Sequence, residues 1–320
     1  MGGGRVSHRA AGLFVATAVL FGTSFIGIEA GLVSLPPVLF AAFRADVAAV
    51  VLLAYAWYRY ETWRPRSRAD VLGVVASSLL VVFANNVFLF VGQTATSGNA
   101  GAVVYGLMPV VAPVFAVFLL RTERVSAVDA AGLLLGLAGV VVIVQPDPAN
   151  LVGSAGQGLV AVSAVCVALG SVLLRRIGPT MPTIALTGWS MALAAPGIHL
   201  VSVGLGEPAL SLAWTPTALA AVAYVGVVGT AAAYPAYYAL IDAVGPVRAN
   251  LTAYAMPVVA ALTGWAVLGE TVEATTAAGF VVVFAGFSVV QRRALATALR
   301  RRHDRGDTPV ATPSFEAVDD

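Results

Sequence analysis

The side chains that could do chemistry in this chain are a few polar residues set within long apolar stretches. A charge inside the hydrocarbon layer of a membrane is costly, so such residues are candidates for a site by default. Glu29 and Arg44 stand in consecutive apolar stretches, at depths that differ by about 6 Å for a helical rise of about 1.5 Å per residue. Two interpretations stay open: a polar site or gate built on Glu29 and Arg44, or a fixed ion pair that locks two helices together.

The remaining candidates are amides and aromatic side chains. Interhelical hydrogen bonding is the ordinary role of a membrane-embedded Asn, and a Tyr or Trp at a membrane interface is often a belt residue. Both roles stay open beside a role in a solute path. These candidates are Asn85, Asn86, Tyr105, Trp189, His199, Tyr234, Tyr238, Asn250 and Tyr254.

The sequence predicts no catalytic residues, no metal site and no cofactor. The three histidines, His8, His199 and His303, contain no pair spaced i, i+4, and the chain has neither a GxSxG motif nor a lysine for a P-loop. The single Cys166 cannot form an internal disulfide or a cysteine metal cluster. An enzyme is therefore disfavoured, and we expect no nucleic-acid partner.

These candidates belong to a chain whose composition is typical of membrane proteins. Of the residues, 59% are hydrophobic and 11% are charged, whereas soluble domains have about 45–50% apolar and about 25% charged residues. The mean hydropathy of +0.89 agrees with this contrast. Because the apolar runs do not alternate with polar residues, the lipid bilayer is expected to hold a helical bundle and not a barrel.

A membrane-spanning helix needs about 20 largely apolar residues, and the chain contains ten such stretches. Turn and breaker residues separate them. The predicted helices cover 10–33, 36–58, 71–93, 98–120, 126–145, 156–175, 180–204, 215–240, 246–268 and 275–292.

The arginines predict the direction of these helices. Seventeen of the 18 basic residues, all of them Arg, fall before helix 1, after helix 10 or in connections on the same side as the N-terminus. Cytoplasmic loops are the ones enriched in basic residues, so we expect a multi-pass protein of the cytoplasmic membrane with both termini in the cytoplasm. Residues 1–9 form the N-terminal segment, and the polar stretch 294–320 is predicted to be a disordered cytoplasmic tail.

A short phrase occurs twice and indicates an internal repeat. The letters MPVVA stand at 108–112 and at 256–260, and a glutamate and two glycines follow in the same order in both halves. We interpret 10–145 and 156–293 as two repeats of five helices each. Five is an odd number, so the second copy crosses the membrane in the opposite sense, as in many secondary transporters. The matched pairs are Pro109 with Pro257, Glu123 with Glu270, Gly132 with Gly279 and Gly139 with Gly286.

The repeated prolines have a possible mechanical role. A proline inside a helix removes a backbone donor and loosens the preceding turn. We therefore predict that Pro109 and Pro257 are matched bending points for alternating access.

The order of these motifs resembles the EamA family of the drug/metabolite transporter superfamily. The first half carries FGTSFIGIEAG, FRADVAAV, MPVVAPVFAVFLLRTERVS and GLLLGLAGVVVI, and the second carries VGTAAAYPAYYAL, AYAMPVVAALTGWAVLGETV and AGFVVVFAG. The resemblance covers residues 10–293. Two departures are Phe21, where the family often has Trp before the glycine, and RTE in place of GE in the first half.

The resemblance implies an all-α integral membrane fold with ten transmembrane helices in two inverted five-helix repeats. It also implies a secondary transporter or exporter of small metabolites, amino-acid-like or amphipathic, whose cavity is lined by helices 3, 4, 8 and 9. Asn86, Tyr105, Tyr234 and Tyr254 would then face this cavity. Arg44 matches an arginine that many members carry in helix 2, which favours a structural role for it.

Three expectations remain open at this point. A proton is a candidate coupling ion, with Glu29 as its carrier, and the protein is expected to be a monomer or a homodimer. The alternative to transport is a membrane receptor or regulator that keeps the transporter fold without net flux.

Overall fold

A computed structural model describes most of the chain. The described residues are 3–93, 104, 106–120, 126–144, 155–208, 214–268, 274–290 and 292. Among them all regular secondary structure is helical. Of the candidate residues, Tyr105 and the side chain of Glu29 lie outside the described part.

Ten helices follow one another along the described parts of the chain. We number as one helix any segments that are joined directly or through a residue with helical dihedral angles. They are α1 (Gly3–Leu32), α2 (Pro37–Arg59), α3 (68–93), α4 (Met108–Leu120), α5 (Ala127–Val144), α6 (Ala155–Ile177), α7 (Thr183–Gly204), α8 (Pro216–Val244), α9 (246–268) and α10 (Ala274–Val290).

The expectation of an all-α membrane protein agrees with these helices. In the described residues five helices, namely α2, α3, α6, α7 and α8, are long and apolar enough to cross a membrane, and α4, α5 and α10 are shorter apolar helices. Large apolar side chains on them remain exposed on the bundle surface, such as Leu200 and Val50, as lipid-facing side chains would be.

Two of the long helices contain a π-helical segment near their middle. The segments are Ser77–Ala84 in α3 and Val227–Ala232 in α8. In α8 the proline at 235 lacks an N–H and its ring clashes with the carbonyl four residues earlier, which explains why the preceding turn is widened. A π-helical segment changes the direction of the side chains that follow it, and here those are Asn85 and Asn86 on α3 and Tyr234 on α8.

Helices α2 and α7 pack against each other, and carboxylates that belong to neither helix bind backbone N–H groups at or just before the start of each. Glu207, after α7, accepts hydrogen bonds from the backbone N–H groups of Val38 (3.1 Å) and Leu39 (2.8 Å) in the first turn of α2. At the opposite end Asp70 accepts bonds from the backbone N–H groups of Thr180 (2.8 Å) and Met181 (3.0 Å), just before α7. Each carboxylate satisfies donors that a helix start leaves unpaired.

The cap at Asp70 leads to a stability prediction. Asp70 also accepts hydrogen bonds from the backbone of its own first turn, including Ser67 N–H at 3.1 Å. Replacing it with Ala strands several buried donors, so we expect Asp70→Ala to destabilise the protein by about 2 kcal/mol or more. Thermal unfolding in detergent measures the change, with the exposed Glu61→Ala as control. Equal midpoints for the two variants would contradict this role.

Helices α5 and α10 cross through glycines. A Cβ atom added at Gly286 would lie 2.4 Å from the backbone N of Gly136, and one added at Gly139 would lie 2.6 Å from the backbone N of Val283. Only glycine allows the backbones to approach this closely, as at small-residue crossings in membranes.

Several described arginines, Arg175 and Arg176 among them, lie at one end of the bundle, which we call the basic end. Arg176 donates to the carbonyl of Leu119 at the end of α4 (2.9 Å), and Arg175 donates to the carbonyl of Asp242 at the end of α8 (2.8 Å). Both contacts join the ends of helices that the sequence places on one side. Which side of the membrane this is stays a prediction.

The two repeated prolines are placed differently by the structure. Pro109 is the second residue of α4, where a missing N–H leaves no hydrogen bond unmade. The proline in the interior of α4 is Pro113, whereas Pro257 lies inside the Thr252–Thr263 segment of α9. The two sequence-matched positions therefore differ in their place along their helices.

Candidate functional site

The centre of the candidate site is a buried contact between α2 and α3. The guanidinium of Arg44 donates through Nη2 to the side-chain oxygen of Asn86, and its Cζ lies 5.3 Å from the ring centre of Phe90. Asn86 in turn donates to the carbonyl of Val82 at 2.6 Å. Only 8% of Arg44 and 3% of Asn86 is exposed, so a charge is held within the bundle by an amide and an aromatic face. Two candidates that lie far apart in the sequence thus meet.

The neighbouring Asn85 connects α3 to α6. Its side-chain oxygen accepts a hydrogen bond from the hydroxyl of Ser163 at 2.8 Å, with both residues buried. Asn85 and Asn86 begin the α-helical segment that follows the π-helical turn of α3. This position lets consecutive amides contact two different helices, α6 and α2.

An aromatic cluster lies between α1 and α8. The ring of Phe21 meets those of Tyr234 (5.2 Å between centres, 84° between planes) and Tyr237 (6.2 Å) edge to face. Tyr238 contacts both tyrosines, at 6.1 Å and 5.9 Å. The three tyrosines are almost fully buried. Edge-to-face packing of this kind favours aromatic and apolar neighbours.

Hydroxyl and amide groups link this cluster to α3, α6 and α9. The hydroxyls of Tyr238 and Ser77 share a hydrogen bond of 2.5 Å. Tyr237 donates to the side-chain oxygen of Asn250, whose amide nitrogen donates to the hydroxyl of Ser171 at 3.0 Å. A connected set of uncharged polar groups therefore lies beside the rings.

Five participants were missed by reasoning from the sequence: Phe21 and Phe90 as ring partners, Ser77, Ser163 and Ser171. Serines in Ala- and Val-rich stretches carry no periodic signal, so only their contacts reveal them. Tyr237 stood in the same stretch as two tyrosines that were predicted, and its neighbours could have drawn attention to it.

Three other candidates lie apart from this core. Trp189 stacks on Trp63 of the α2–α3 connection (5.8 Å between ring centres) and donates to its carbonyl. Tyr254 donates to the carbonyl of Leu133 on α5 at 2.8 Å. His199 contacts Asp46 on the bundle surface. A place for these side chains in a solute path stays a prediction.

The pairing of Glu29 with Arg44 also stays a prediction, because the Glu29 side chain lies outside the described residues, as does Tyr105. What the structure adds is a partner for Arg44 on another helix. In the described part of the chain no group of three His, Cys, Asp or Glu residues could hold a metal ion. The described core therefore offers one guanidinium, amides, hydroxyls and rings.

Comparison with known proteins agrees with a membrane transporter. The profile of the EamA-like transporter family matches residues 8–145 and again residues 154–291. An uncharacterized inner membrane transporter of Escherichia coli strain K12, YedA, is 31% identical over 82% of this chain and 84% of its own length. An uncharacterized transporter of Archaeoglobus fulgidus is 27% identical over 87% of this chain and 96% of its own length.

A solved crystal structure shares the fold. It superposes with a TM-score of 0.72 at 22% identity, covering 92% of this chain and 98% of the other. The two family matches together span almost the whole described bundle, including α2, α3 and α8, which carry the candidate site. The chain therefore belongs to the EamA-like transporter family.

Proposed function

We propose that this chain is a secondary transporter or exporter of small metabolites that works by alternating access across the cytoplasmic membrane. The observation that carries the proposal is the buried polar and aromatic core shared by α1, α2, α3, α6, α8 and α9. Burying polar groups in a membrane bundle costs free energy, so such groups indicate either contacts between helices or a solute path. Because the chain belongs to a transporter family, we assign the buried polar groups to a solute path.

Ten transmembrane helices in two inverted repeats are part of this proposal. The double family match, over 8–145 and 154–291, supports it. So does the glycine crossing of α5 and α10. An added Cβ at Gly132 would meet the carbonyl of Gly286, and one at Gly139 would meet that of Gly279, each at 3.0 Å. If each glycine is replaced by its sequence-matched counterpart from the other half, the first of these contacts becomes the second. This relation is expected for two inverted copies.

The chemistry of the core supports an amino-acid-like or amphipathic solute. Aromatic faces suit an apolar body, while the amides and hydroxyls suit its polar groups. The buried guanidinium of Arg44 would favour a solute with a carboxylate over a solute with only positive charge.

We place both termini of the chain on the cytoplasmic side of the membrane. The described arginines that lie at the basic end support this direction, because cytoplasmic ends of membrane helices are enriched in basic residues. Whether one copy or two forms the working unit is best settled by mass measurement in detergent or nanodiscs.

The experiment that tests the function is a pooled metabolite assay on inside-out vesicles with and without the protein. We expect a few small polar or amphipathic solutes to accumulate only in vesicles that contain it. Purified protein in liposomes that binds a solute but never moves it would instead support a receptor or regulator. Absence of both binding and movement would contradict the proposal.

A bending role for the repeated prolines is tested separately. We expect the double variant Pro109→Ala, Pro257→Ala to slow transport, chiefly through Pro257, since this proline lies inside its helix segment and loosens the turn before it. Initial rates for the two single variants and the double variant measure the effect. Unchanged rates in all three would rule out a hinge.

A further inference from the structure

A contact between two ionisable side chains lies away from this core, on the surface of the bundle. The Nε2 atom of His199 on α7 lies 2.7 Å from Oδ2 of Asp46 on α2. The side chains are 34% and 45% exposed, respectively. Both helices are long and apolar enough to cross a membrane. A pair exposed on such helices lies on the outer surface of the bundle and not within its packed interior.

The surroundings of the pair are apolar and aromatic. Phe43 meets the imidazole of His199 edge to face at 5.6 Å, and Trp214 contacts Phe43 at 5.1 Å. Leu200, next to His199, is 73% exposed. Polar and ionisable residues in such surroundings are costly, and they therefore mark functional candidates.

The pair is distinct from the candidate site. Arg44 lies two residues before Asp46, and such residues point about 200° apart around a helix. Arg44 accordingly contacts α3, whereas Asp46 contacts α7. Asp46 stands about 14 Å along α2 from its start, and His199 stands about 8 Å from the end of α7. The pair thus lies in the half of the bundle opposite the basic end.

A proton changes the charge of this pair. With a protonated imidazole and an ionised carboxylate the pair is neutral overall, whereas removing one proton leaves a net negative charge on an apolar surface. An uncompensated charge in such surroundings is unfavourable. Imidazole is the side chain that ordinarily changes charge between about pH 5 and pH 8. Proton uptake therefore strengthens the contact between α2 and α7.

Other charged or titratable groups on the packed helices are directed elsewhere. Glu207, beyond the end of α7, accepts from Ser202 and from the start of α2. Tyr224 on α8 lies against α1, since a Cβ atom added at Gly27 would lie 2.8 Å from its ring. Arg68 and Asp70 on α3, and Asp242 and the three buried tyrosines on α8, lie toward the basic end. The Glu29 side chain on α1 lies outside the described residues.

We propose that Asp46 and His199 form a proton-binding site that couples proton uptake to the relative position of α2 and α7. The inference rests on the proposed transport function, in which α2 and α7 are the second helices of opposite repeats. A conformation that separates them at this end loses the contact and binds the proton less well. By linkage, low pH favours the joined conformation and high pH releases it.

The test is solute exchange in proteoliposomes at equal pH inside and outside, with a solute found in the pooled assay. We expect wild-type exchange to rise by about two- to fivefold between pH 6 and pH 8, because high pH releases the contact between α2 and α7. The size of this change corresponds to the small energy of a half-exposed ion pair. Asp46→Asn and His199→Gln should each remove this dependence. The swapped variant Asp46→His, His199→Asp should restore it, and Thr187→Val on α7 should leave it unchanged.

A second measurement is independent of transport. The ring ¹⁵N signals of His199, followed in nanodiscs with His8 and His303 replaced by Gln, should change across the same pH range, and Asp46→Asn should displace the curve. A wild-type exchange rate that is flat with pH, or pH dependence lost in Glu29→Gln but kept in Asp46→Asn, overturns the coupling. If the wild type moves no solute at any pH, the transport proposal fails, while a displaced ¹⁵N curve would still establish the proton site.

Discussion

Gly286→Leu is expected to lower the thermal unfolding midpoint by about 5 °C or more and to reduce the yield of monodisperse protein. A Cβ at this position would lie 2.4 Å from the backbone N of Gly136 and 2.7 Å from the carbonyl of Gly132. Backbone atoms cannot turn aside as a flexible side chain can, so α5 and α10 must move apart. Overpacking of this kind costs about 3 kcal/mol or more, which corresponds to a shift of this size.

The matched control for this substitution is Gly158→Leu on α6. A Cβ there meets no atom within 4 Å, and the residue is exposed on the bundle surface. The same change of side chain should therefore leave the midpoint within about 1 °C of that of the wild type. Size-exclusion chromatography in detergent, followed by thermal unfolding, measures both variants. If the two leucine variants unfold alike, the α5–α10 crossing is not the close contact described here.

Asn86→Leu is expected to have the largest effect on the candidate site. Leucine has a branched side chain with as many heavy atoms as that of asparagine, but it lacks the oxygen that accepts from the buried guanidinium of Arg44. Loss of a hydrogen bond to a charged group costs about 1.5–3 kcal/mol, and the guanidinium loses the acceptor that α3 provides. We therefore expect a lower unfolding midpoint and a loss of transport of about tenfold or more, since one factor of ten corresponds to about 1.4 kcal/mol.

Two further variants separate this role from general packing. Ser163→Ala removes the neutral donor to the adjacent Asn85 and should cost only about 0.5–1.5 kcal/mol. Asn86→Asp keeps an acceptor opposite Arg44 and should lose less stability than Asn86→Leu. Unfolding midpoints and initial transport rates report the order of the variants. If Ser163→Ala has as large an effect as Asn86→Leu, the charge of Arg44 is not the reason why the contact between Arg44 and Asn86 is important.

The membrane class and the helical nature of the chain could be predicted from composition alone. An apolar chain with few charges and no alternation leaves helices as the favourable way to satisfy the backbone in lipid. The family followed from the order of several weak motifs, and the repeated glycines of the two halves indeed meet at one crossing. Such inferences succeed because hydropathy and spacing are local properties of the chain.

The partners of the polar residues could not be predicted in this way. Glu29 and Arg44 were paired from their depth alone, yet depth leaves the angle around each helix and the identity of the neighbouring helix open. The structure directs Arg44 to Asn86 and Asp46 to His199. The π-helical turn in α3, which changes the direction of Asn85 and Asn86, has no simple sequence pattern. In α8 a proline follows the π-helical turn, but only the structure shows that the turn widens there and redirects Tyr234.

The sequence by itself thus determined that this protein is a helical membrane protein of a transporter family, and which few polar residues lie within its apolar stretches. Only the tertiary structure decided which of these residues contact one another. The physical reason is that burial and helix length follow from the local composition of the chain, whereas a hydrogen bond between helices depends on packing angles, helix rotation and close backbone approach. Those quantities arise only when all the helices pack together.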